Sequence, residues 1–317
     1  MRKEVKWIGT RGRMIILAVC LCACLTSPSS TGVVASLTEP LPSATPSPVF
    51  SGDRAMRLVE AQMAYGPRPS GSEALRQTGD FILTQLTEMG WDTQEQSFEY
   101  RGVEIRNLVG RAGSLNQPVL LLGAHYDTRR RADQDTLNPE QPVPGANDGA
   151  SGVAVLLELA RVLDLQRVQG VVWLVFFDAE DNGRLDGWDW VVGSRYFASQ
   201  LTVRPEYVII VDMVGDADQN LYYEGNSDPI LQAHLWALAA ELGYIEYFIP
   251  ELRHTMLDDH VPFRELGIPA VDVIDFDYPH WHTGADTIDK LDSGSLERVG
   301  RVLEVFLEAG GRYPGGD

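Results

Sequence analysis

The chain has 317 residues, of which 44% are hydrophobic, a composition typical of one large globular domain. Its 45 acidic and 26 basic residues give a formal net charge of −19. Nucleic acid is therefore excluded as an expected partner, because a phosphate backbone binds basic surfaces. The same charge favours neutral or cationic substrates over acidic ones.

Residues 1–24 are predicted to be a signal peptide. The basic start MRKEVKWIGTRGR precedes the apolar run MIILAVCLCACL, which is too short to span a membrane comfortably. LCAC, ending at Cys24, resembles a bacterial lipoprotein cleavage site, with a plain secretory signal as the alternative. We therefore expect an exported protein, extracellular or at the cell surface, whose only membrane contact is a lipid on Cys24.

Residues 25–50 are rich in Ser, Thr and Pro and are predicted to be a tether. The catalytic domain is predicted to cover residues 51–313. All three cysteines lie in the signal peptide, so this domain has no disulfide and no cysteine-zinc site. We expect it to be a monomer.

Two helices and a hairpin open the predicted domain. Helical spacing of apolar residues indicates helices over 51–66 and 70–90, with Ser51 or Asp53 and then Ser72 as caps. Residues 92–111 alternate in polarity around Arg101-Gly102, which predicts a β-hairpin.

Buried strands and amphipathic helices alternate through the rest of the chain. Apolar runs predict strands at 118–125, 171–178, 207–213 and 270–276, and helices are expected near 150–165, 192–200, 228–242, 259–266 and 294–309. Strands that are apolar on both faces indicate a parallel sheet covered by helices. The predicted fold class is α/β, a single domain with a mostly parallel mixed central sheet and helices on both faces.

Acids and histidines follow these strands. Ligands of such sheets bind beyond the carboxyl ends of the strands, where these side chains would meet. Carboxylate and imidazole groups are zinc ligands, and a cation relieves the repulsion between crowded carboxylates. The residues concerned are His125, Asp127, Asp148, Glu180, Asp181, Asp212, Asp258, Asp259, His260, His280, His282 and Asp286.

At these residues the sequence resembles the zinc-dependent exopeptidases of the bacterial leucyl aminopeptidase type, together with animal-type glutaminyl cyclases. The resemblance covers roughly residues 55–310 and implies the zinc exopeptidase, or phosphorylase/hydrolase-like, fold. Its motifs occur in the family's order: GAHYDT, GANDGASGVAVLLELAR, FFDAED, GSRYFA, DDHVPFRELGIPA and WHTGADT.

The resemblance implies a role for each matched residue. Asp148, Asp181 and His282 correspond to the zinc ligands of both branches, and His125 and Asp212 to the further ligands of a second zinc in the peptidases. Glu180 corresponds to the general acid/base, and Asp127 would orient His125.

Four features favour the cyclase branch. Asp181 stands where the peptidases usually have Glu, LDDHVPF resembles the cyclase form, Trp281 adjoins His282, and Trp188 and Trp190 follow the acidic pair. In this interpretation Asp212 and Asp259 hold a carboxylate network, and Trp281 and Trp188 contact the substrate. The expected reaction converts N-terminal glutamine of peptides to pyroglutamate and ammonia, with one zinc ion.

Two alternatives remain open at this point. A zinc aminopeptidase would use the same residues, two zinc ions and a metal-bound water to hydrolyse N-terminal residues. An inactive zinc-stabilised binding protein at the cell surface is disfavoured, because Glu180 is intact.

Overall fold

The computed structural model describes residues 48–114 and 117–316. The predicted signal peptide, including Cys24, and residues 25–47 of the predicted tether lie outside the described residues. Phe50, at the end of that tether, is buried, and its backbone N–H donates a hydrogen bond to a Glu304 carboxylate oxygen at 3.2 Å. The folded domain therefore already includes Phe50.

A six-stranded mixed sheet forms the centre of the domain, in the order β1-β2-β4-β3-β5-β8. Strands β4, β3, β5 and β8 are parallel, whereas β1 and β2 form the predicted antiparallel hairpin at one edge. These strands are β1 Asp92–Tyr100, β2 Val103–Gly113, β3 Val119–His125, β4 Val171–Phe177, β5 Tyr207–Asp212 and β8 Ala270–Ile274. The predicted fold class is confirmed.

The hairpin turn has the conformation that its sequence requires. Arg101 and Gly102 have φ values of 50° and 78°, and Tyr100 pairs directly with Val103. Positive φ at both central residues defines the type I′ turn, the two-residue turn whose twist matches that of the flanking strands.

Helices cover both faces of the sheet. Their bounds are α1 Gly52–Met63, α2 Glu73–Glu88, α3 Ala150–Val162, α4 Val192–Ser199, α5 Pro229–Glu241, α6 Val261–Glu265 and α7 Ser293–Glu308. The predicted caps of the first two helices are confirmed, with Ser51, rather than Asp53, capping α1 and Ser72 capping α2. Among the described residues, no helix combines the length and apolarity that crossing a bilayer requires.

Alternate residues of each central strand enter two separate hydrophobic cores. In β3, Leu120 and Leu122 pack into the large core that α1, α3 and α7 help to form. Leu121, between them, belongs to a smaller core on the opposite face with Phe197 of α4 and Phe263 of α6. A strand buried on both faces must be apolar throughout, which explains the uninterrupted hydrophobic runs.

A second, two-stranded parallel sheet was not predicted. It pairs β6 Leu221–Glu224 with β7 Phe248–His254, and the register shifts on either side of Tyr223. One strand has only four residues and the other contains Pro250 and is largely exposed, so neither carries the pattern of a regular strand.

We expect substitution of Gly152 in α3 by alanine to destabilise the domain. A Cβ atom there would lie 2.1 Å from the Val211 carbonyl oxygen of β5, and backbone cannot move away cheaply. Overpacking of this kind costs about 1–3 kcal/mol. The change is measured as the free energy of unfolding in urea.

Gly79→Ala in α2 is the matched control. Its Cβ would meet at nearest the flexible end of Arg106, at 3.2 Å, while alanine improves helix propensity. We expect this variant to equal or exceed the wild type in stability. Equal stability of Gly152→Ala and the wild type would contradict the close packing of α3 on β5.

Candidate metal centre and active-site cavity

Asp148, Asp181 and His282 come together at the carboxyl edge of the sheet. Asp148 lies immediately before α3, Asp181 in the loop after β4, and His282 in the loop after β8. His282 Nε2 is 2.8 Å from Asp181 Oδ1 and 3.7 Å from Asp148 Oδ2. All three side chains are buried, and their ligand atoms lie close enough to hold one metal ion.

A second group shares Asp148. His125, the last residue of β3, places Nε2 at 3.0 Å from Asp148 Oδ1 and at 3.1 Å from Asp212 Oδ1. Asp212 is the last residue of β5, so two neighbouring strands supply these ligands. Asp148 therefore lies between the two groups and directs one oxygen to each.

The donor set fits zinc. Asp148 Oδ2 and Asp181 Oδ2 are buried and have no hydrogen-bond partner among the described residues. Burial, and next the Asp148 carboxylate, raises the pKa of Asp181 to about 6. A divalent cation between these oxygens would complete their coordination and offset the repulsion, and two carboxylates with one imidazole are zinc ligands.

The backbone around the candidate ligands adopts unusual conformations. Ala179 before Glu180, Met213 after Asp212, and His282 itself have positive φ values of 60°, 45° and 56°. Non-glycine residues in this region are strained, and such residues are common where a functional side chain must be directed precisely.

Close packing also fixes His125. A Cβ on Gly149 would lie 2.7 Å from His125 Nε2, so only glycine lets the imidazole approach the start of α3. This contact brings His125 to Asp148 and explains the glycine that follows Asp148.

Two buried carboxylates support the loops that carry the candidate ligands. Asp127 accepts hydrogen bonds from the backbone N–H groups of Glu180 and Asp181 at 3.1 and 3.4 Å. Asp127 Oδ1 is also 3.5 Å from His125 Nδ1. Asp127 therefore faces the His125 imidazole while its hydrogen bonds hold the backbone of Glu180 and Asp181. Asp286 accepts from the backbone N–H of Asp148 at 3.2 Å.

A small cavity of about 200 Å³ opens beside the metal centre. Glu180 and the three residues of the first group contribute to its lining, together with three aromatic side chains, Trp190, Phe276 and Trp281. The lining residues are Asp148, Glu180, Asp181, Arg184, Trp190, Asp212, Met213, Met256, Leu257, Asp258, Ile274, Phe276, Trp281 and His282.

Glu180 combines burial with access to this cavity. Its side chain is 6% exposed, and burial, with the nearby Asp258, Asp181 and Asp259 carboxylates, raises its pKa well above the ordinary value. Its backbone N–H is held by Asp127. A positioned carboxyl group with a raised pKa is suited to proton transfer at the cavity.

Of the two tryptophans and two aspartates expected near the site, one of each lines the cavity. Trp188 is not among the cavity-lining residues; it packs with Ile105 and Val192, and Trp190 lines the cavity instead. Asp259 is buried beside Asp258, which lines the cavity, and the Asp259 carboxylate contributes to the raised pKa of Glu180, so its expected place in a carboxylate network stays a prediction. Neither segment is a regular strand or helix at these positions, so sequence spacing could not tell which neighbour faces inward.

Behind Asp258 lies a further buried group. His260 places Nε2 at 3.1 Å from Glu224 Oε2 and Nδ1 at 3.7 Å from Asp272 Oδ2. Asp258, His260 and Asp272 are close enough to share a cation or a proton. His260 was among the candidate site residues in the sequence, but no motif or spacing connects it with Asp272 or Glu224.

The chain is similar to proteins of known families. The model of peptidase family M28 matches residues 107–307. Glutaminyl-peptide cyclotransferase of Gloydius blomhoffii is 28% identical over 284 residues, covering 76% of each chain. The crystal structure of Porphyromonas gingivalis glutaminyl cyclase gives a TM-score of 0.78 at 35% identity, covering 82% of this chain and 98% of that one. A leucine aminopeptidase precursor from Bacteroides thetaiotaomicron gives 0.78 at 31% identity, with the same coverage.

Proposed function

The chain belongs to peptidase family M28, and we propose that within it the protein is a zinc-dependent glutaminyl-peptide cyclotransferase. The observation that carries this proposal is the small cavity, lined in part by Trp190, Phe276 and Trp281, that joins Glu180 to the candidate zinc ligands. At about 200 Å³ it accommodates one side chain rather than a folded peptide. The similarity to proteins named as glutaminyl cyclases supports the same reaction.

The substrate is a peptide or protein with an N-terminal glutamine. Its α-amine nitrogen attacks the carbon of its own side-chain amide, a C–N bond forms to close the five-membered ring, and the bond to the amide nitrogen breaks. Ammonia leaves, and pyroglutamate remains on the peptide. No water enters the products, so a cavity walled by Trp190, Trp281 and Phe276 suits the reaction.

Glu180 is the proposed proton-transfer group. Its carboxylate accepts a proton from the attacking amine and returns one to the departing ammonia, so it ends each cycle as it began. Asp212 and Asp258 line the cavity near it, and burial, with the Asp212 carboxylate as the next cause, raises the pKa of Asp258 to about 7. We propose that these two carboxyl groups, together with Asp259, hold the network around Glu180.

We propose one zinc ion, bound by Asp148, Asp181 and His282. The unpartnered oxygens of Asp148 and Asp181 belong to this group, whereas His125 Nε2 contacts Asp212 Oδ1 at 3.1 Å. Bound there, zinc supplies a Lewis acid that polarises an amide carbonyl. His125 and Asp212 then act by holding Asp148 in place.

Aminopeptidase activity is the second candidate function. The group of His125, Asp148 and Asp212 could hold a further metal ion, and the similarity to a leucine aminopeptidase precursor supports this alternative. Glu180 would then deprotonate a water molecule that attacks the first peptide bond. Both reactions use the same side chains, so substrates must distinguish them.

We also propose where the enzyme acts. The signal-peptide pattern of residues 1–24 supports export, and the LCAC sequence supports a lipid on Cys24, with the residues between Cys24 and Phe50 as the tether. The chain would then work as a monomer at the cell surface or outside the cell, on peptide N-termini.

Two aminoacyl naphthylamides test the reaction. With glutaminyl-naphthylamide we expect ammonia release while the naphthylamine stays attached to a pyroglutamyl product, measured by a coupled ammonia assay and mass spectrometry. Leucyl-naphthylamide should release little fluorescent naphthylamine. Because Glu180 carries the proton, Glu180→Gln should lower the rate at least about 100-fold while zinc content stays unchanged.

Either of two results would contradict this assignment. Rapid naphthylamine release from the leucyl substrate, with little ammonia from the glutaminyl one, would establish the aminopeptidase. Near wild-type turnover by Glu180→Gln would remove Glu180 from the chemistry.

Zinc content tests the single-ion proposal. We expect about one zinc per wild-type chain, loss of zinc in His282→Ala, and retention of about one zinc in His125→Ala. The measurement is elemental analysis after gel filtration. Two zinc ions in the wild type, falling to one in His125→Ala, would support the two-metal alternative.

A further inference from the structure

Residues 129–135, the segment that follows β3 and Asp127, contact both loops that carry the ligands specific to the proposed zinc site. Arg129 and Asp133 form a two-point ion pair, with Nε–Oδ1 at 2.7 Å and Nη2–Oδ2 at 2.8 Å. Arg129 is only 2% exposed, an unusual position for a cation. We propose that Arg129 and Asp133 are positioning residues that fix Asp181 and His282 for zinc binding; the inference rests on the zinc site of the proposed function.

Arg129 holds the loop of Asp181. Its Nη1 donates a hydrogen bond to the Asp181 backbone carbonyl at 2.7 Å, and its Nη2 donates to the Gly183 carbonyl at 3.3 Å. Nη1 also lies 3.8 Å from Asp181 Oδ1. The planar guanidinium therefore reaches two carbonyl groups of one loop and both oxygens of Asp133 at once, which a lysine could not do.

Asp133 faces the imidazole of His282. Asp133 Oδ1 is 3.6 Å from His282 Nδ1, the ring nitrogen that is buried without a hydrogen-bond partner in the described chain. A carboxylate opposite the non-ligating nitrogen of a metal-bound histidine fixes the tautomer and the ring orientation. With Nδ1–H directed at Asp133, the lone pair of Nε2 faces Asp181 and Asp148.

The same segment also contacts the backbone of the His282 loop. The Gln134 backbone N–H donates to the His282 carbonyl at 3.2 Å, and the Gly284 N–H donates to Asp135 Oδ2 at 3.0 Å. His282 has a positive φ of 56°, so these bonds help to hold a strained ligand residue.

Arg129 extends this support to the cavity wall. Its guanidinium carbon is 4.8 Å from the centre of the Trp190 ring, which lies nearly parallel to the His282 ring at an interplanar angle of 14°. Trp281 also stacks on His282, at 3.6 Å between ring centres. Arg129 thus connects the position of a ligand loop to the shape of the substrate cavity.

Arg129→Gln and Asp133→Asn test the proposal, with Arg131→Gln as the matched control. Arg131 lies two residues away, is partly exposed and pairs with Asp186, so the control removes the same charge from the same segment. Zinc affinity is measured by competition with a chromophoric chelator, which needs no assumption about the reaction. We expect affinity to fall about 10–100-fold in both test variants and to stay within about twofold of wild type in Arg131→Gln.

The two test variants should differ in substrate binding. At saturating zinc, Arg129→Gln should raise KM for glutaminyl-naphthylamide and shift tryptophan fluorescence, because Trp190 loses its cation, whereas Asp133→Asn should leave KM nearly unchanged. Arg129→Lys should recover only part of the zinc affinity, since one ammonium cannot make all four contacts.

Several outcomes would overturn the proposal. Wild-type zinc affinity in folded Asp133→Asn, or equal losses in Arg131→Gln and Arg129→Gln, would show that the ion pair does not position the ligands. If Arg129→Gln does not fold, Asp133→Asn and Arg129→Lys carry the test. If zinc affinity falls in the test variants as expected, but neither the wild type nor any variant releases ammonia, the result would count against the proposed reaction and not against the positioning roles.

Discussion

The structure depends on how buried carboxylates around Asp148 are compensated. Asp148, Asp181, Asp212 and Glu180 are all buried and line one cavity. Burial, with the neighbouring carboxylates, raises the pKa values of Asp181, Asp212 and Glu180, whereas for Asp148 burial is outweighed by the contact with His125, which lowers the pKa. His125 Nε2 lies 3.0 Å from Asp148 Oδ1 and 3.1 Å from Asp212 Oδ1 and offsets part of this charge, but Asp148 Oδ2 and Asp181 Oδ2 have no hydrogen-bond partner among the described residues. A cation bound by His282 and these two acids is the arrangement that balances the remainder.

The parallel sheet brings these carboxylates together, and its packed cores also hold the strained backbone around them. Strands β3, β4 and β5 end at the same edge, so the residues that follow them must meet there. Their apolar centres fill two cores, which hold the strands rigidly enough to impose positive φ values on Ala179, Met213 and His282. Packing of the whole domain thus maintains the local strain at the site.

The proposed cyclase and the alternative peptidase differ little in this architecture. Asp148 can serve one ion or bridge two, and Glu180 can accept a proton from an amine or from water. The small cavity walled by Trp190, Trp281 and Phe276 is the feature that favours attack within one substrate molecule over attack by water. Arg129 matters in this respect because it contacts both the Asp181 loop and Trp190.

The sequence by itself determined the order of the main helices, the strands of the central mixed sheet and the residues gathered at its edge, but not the small sheet of β6 and β7. These follow from periodic burial and from the rule that parallel strands end together, both of which are local or topological. Only the tertiary structure showed that Asp258 rather than Asp259, and Trp190 rather than Trp188, lines the cavity, because neighbours in an irregular segment have no periodicity to separate their directions. The proposed roles of Arg129 and Asp133 depended on it too. Arg129 hydrogen-bonds to Asp181 and Asp133 faces His282, residues about fifty and one hundred and fifty positions further along the chain, and only folding brings them together.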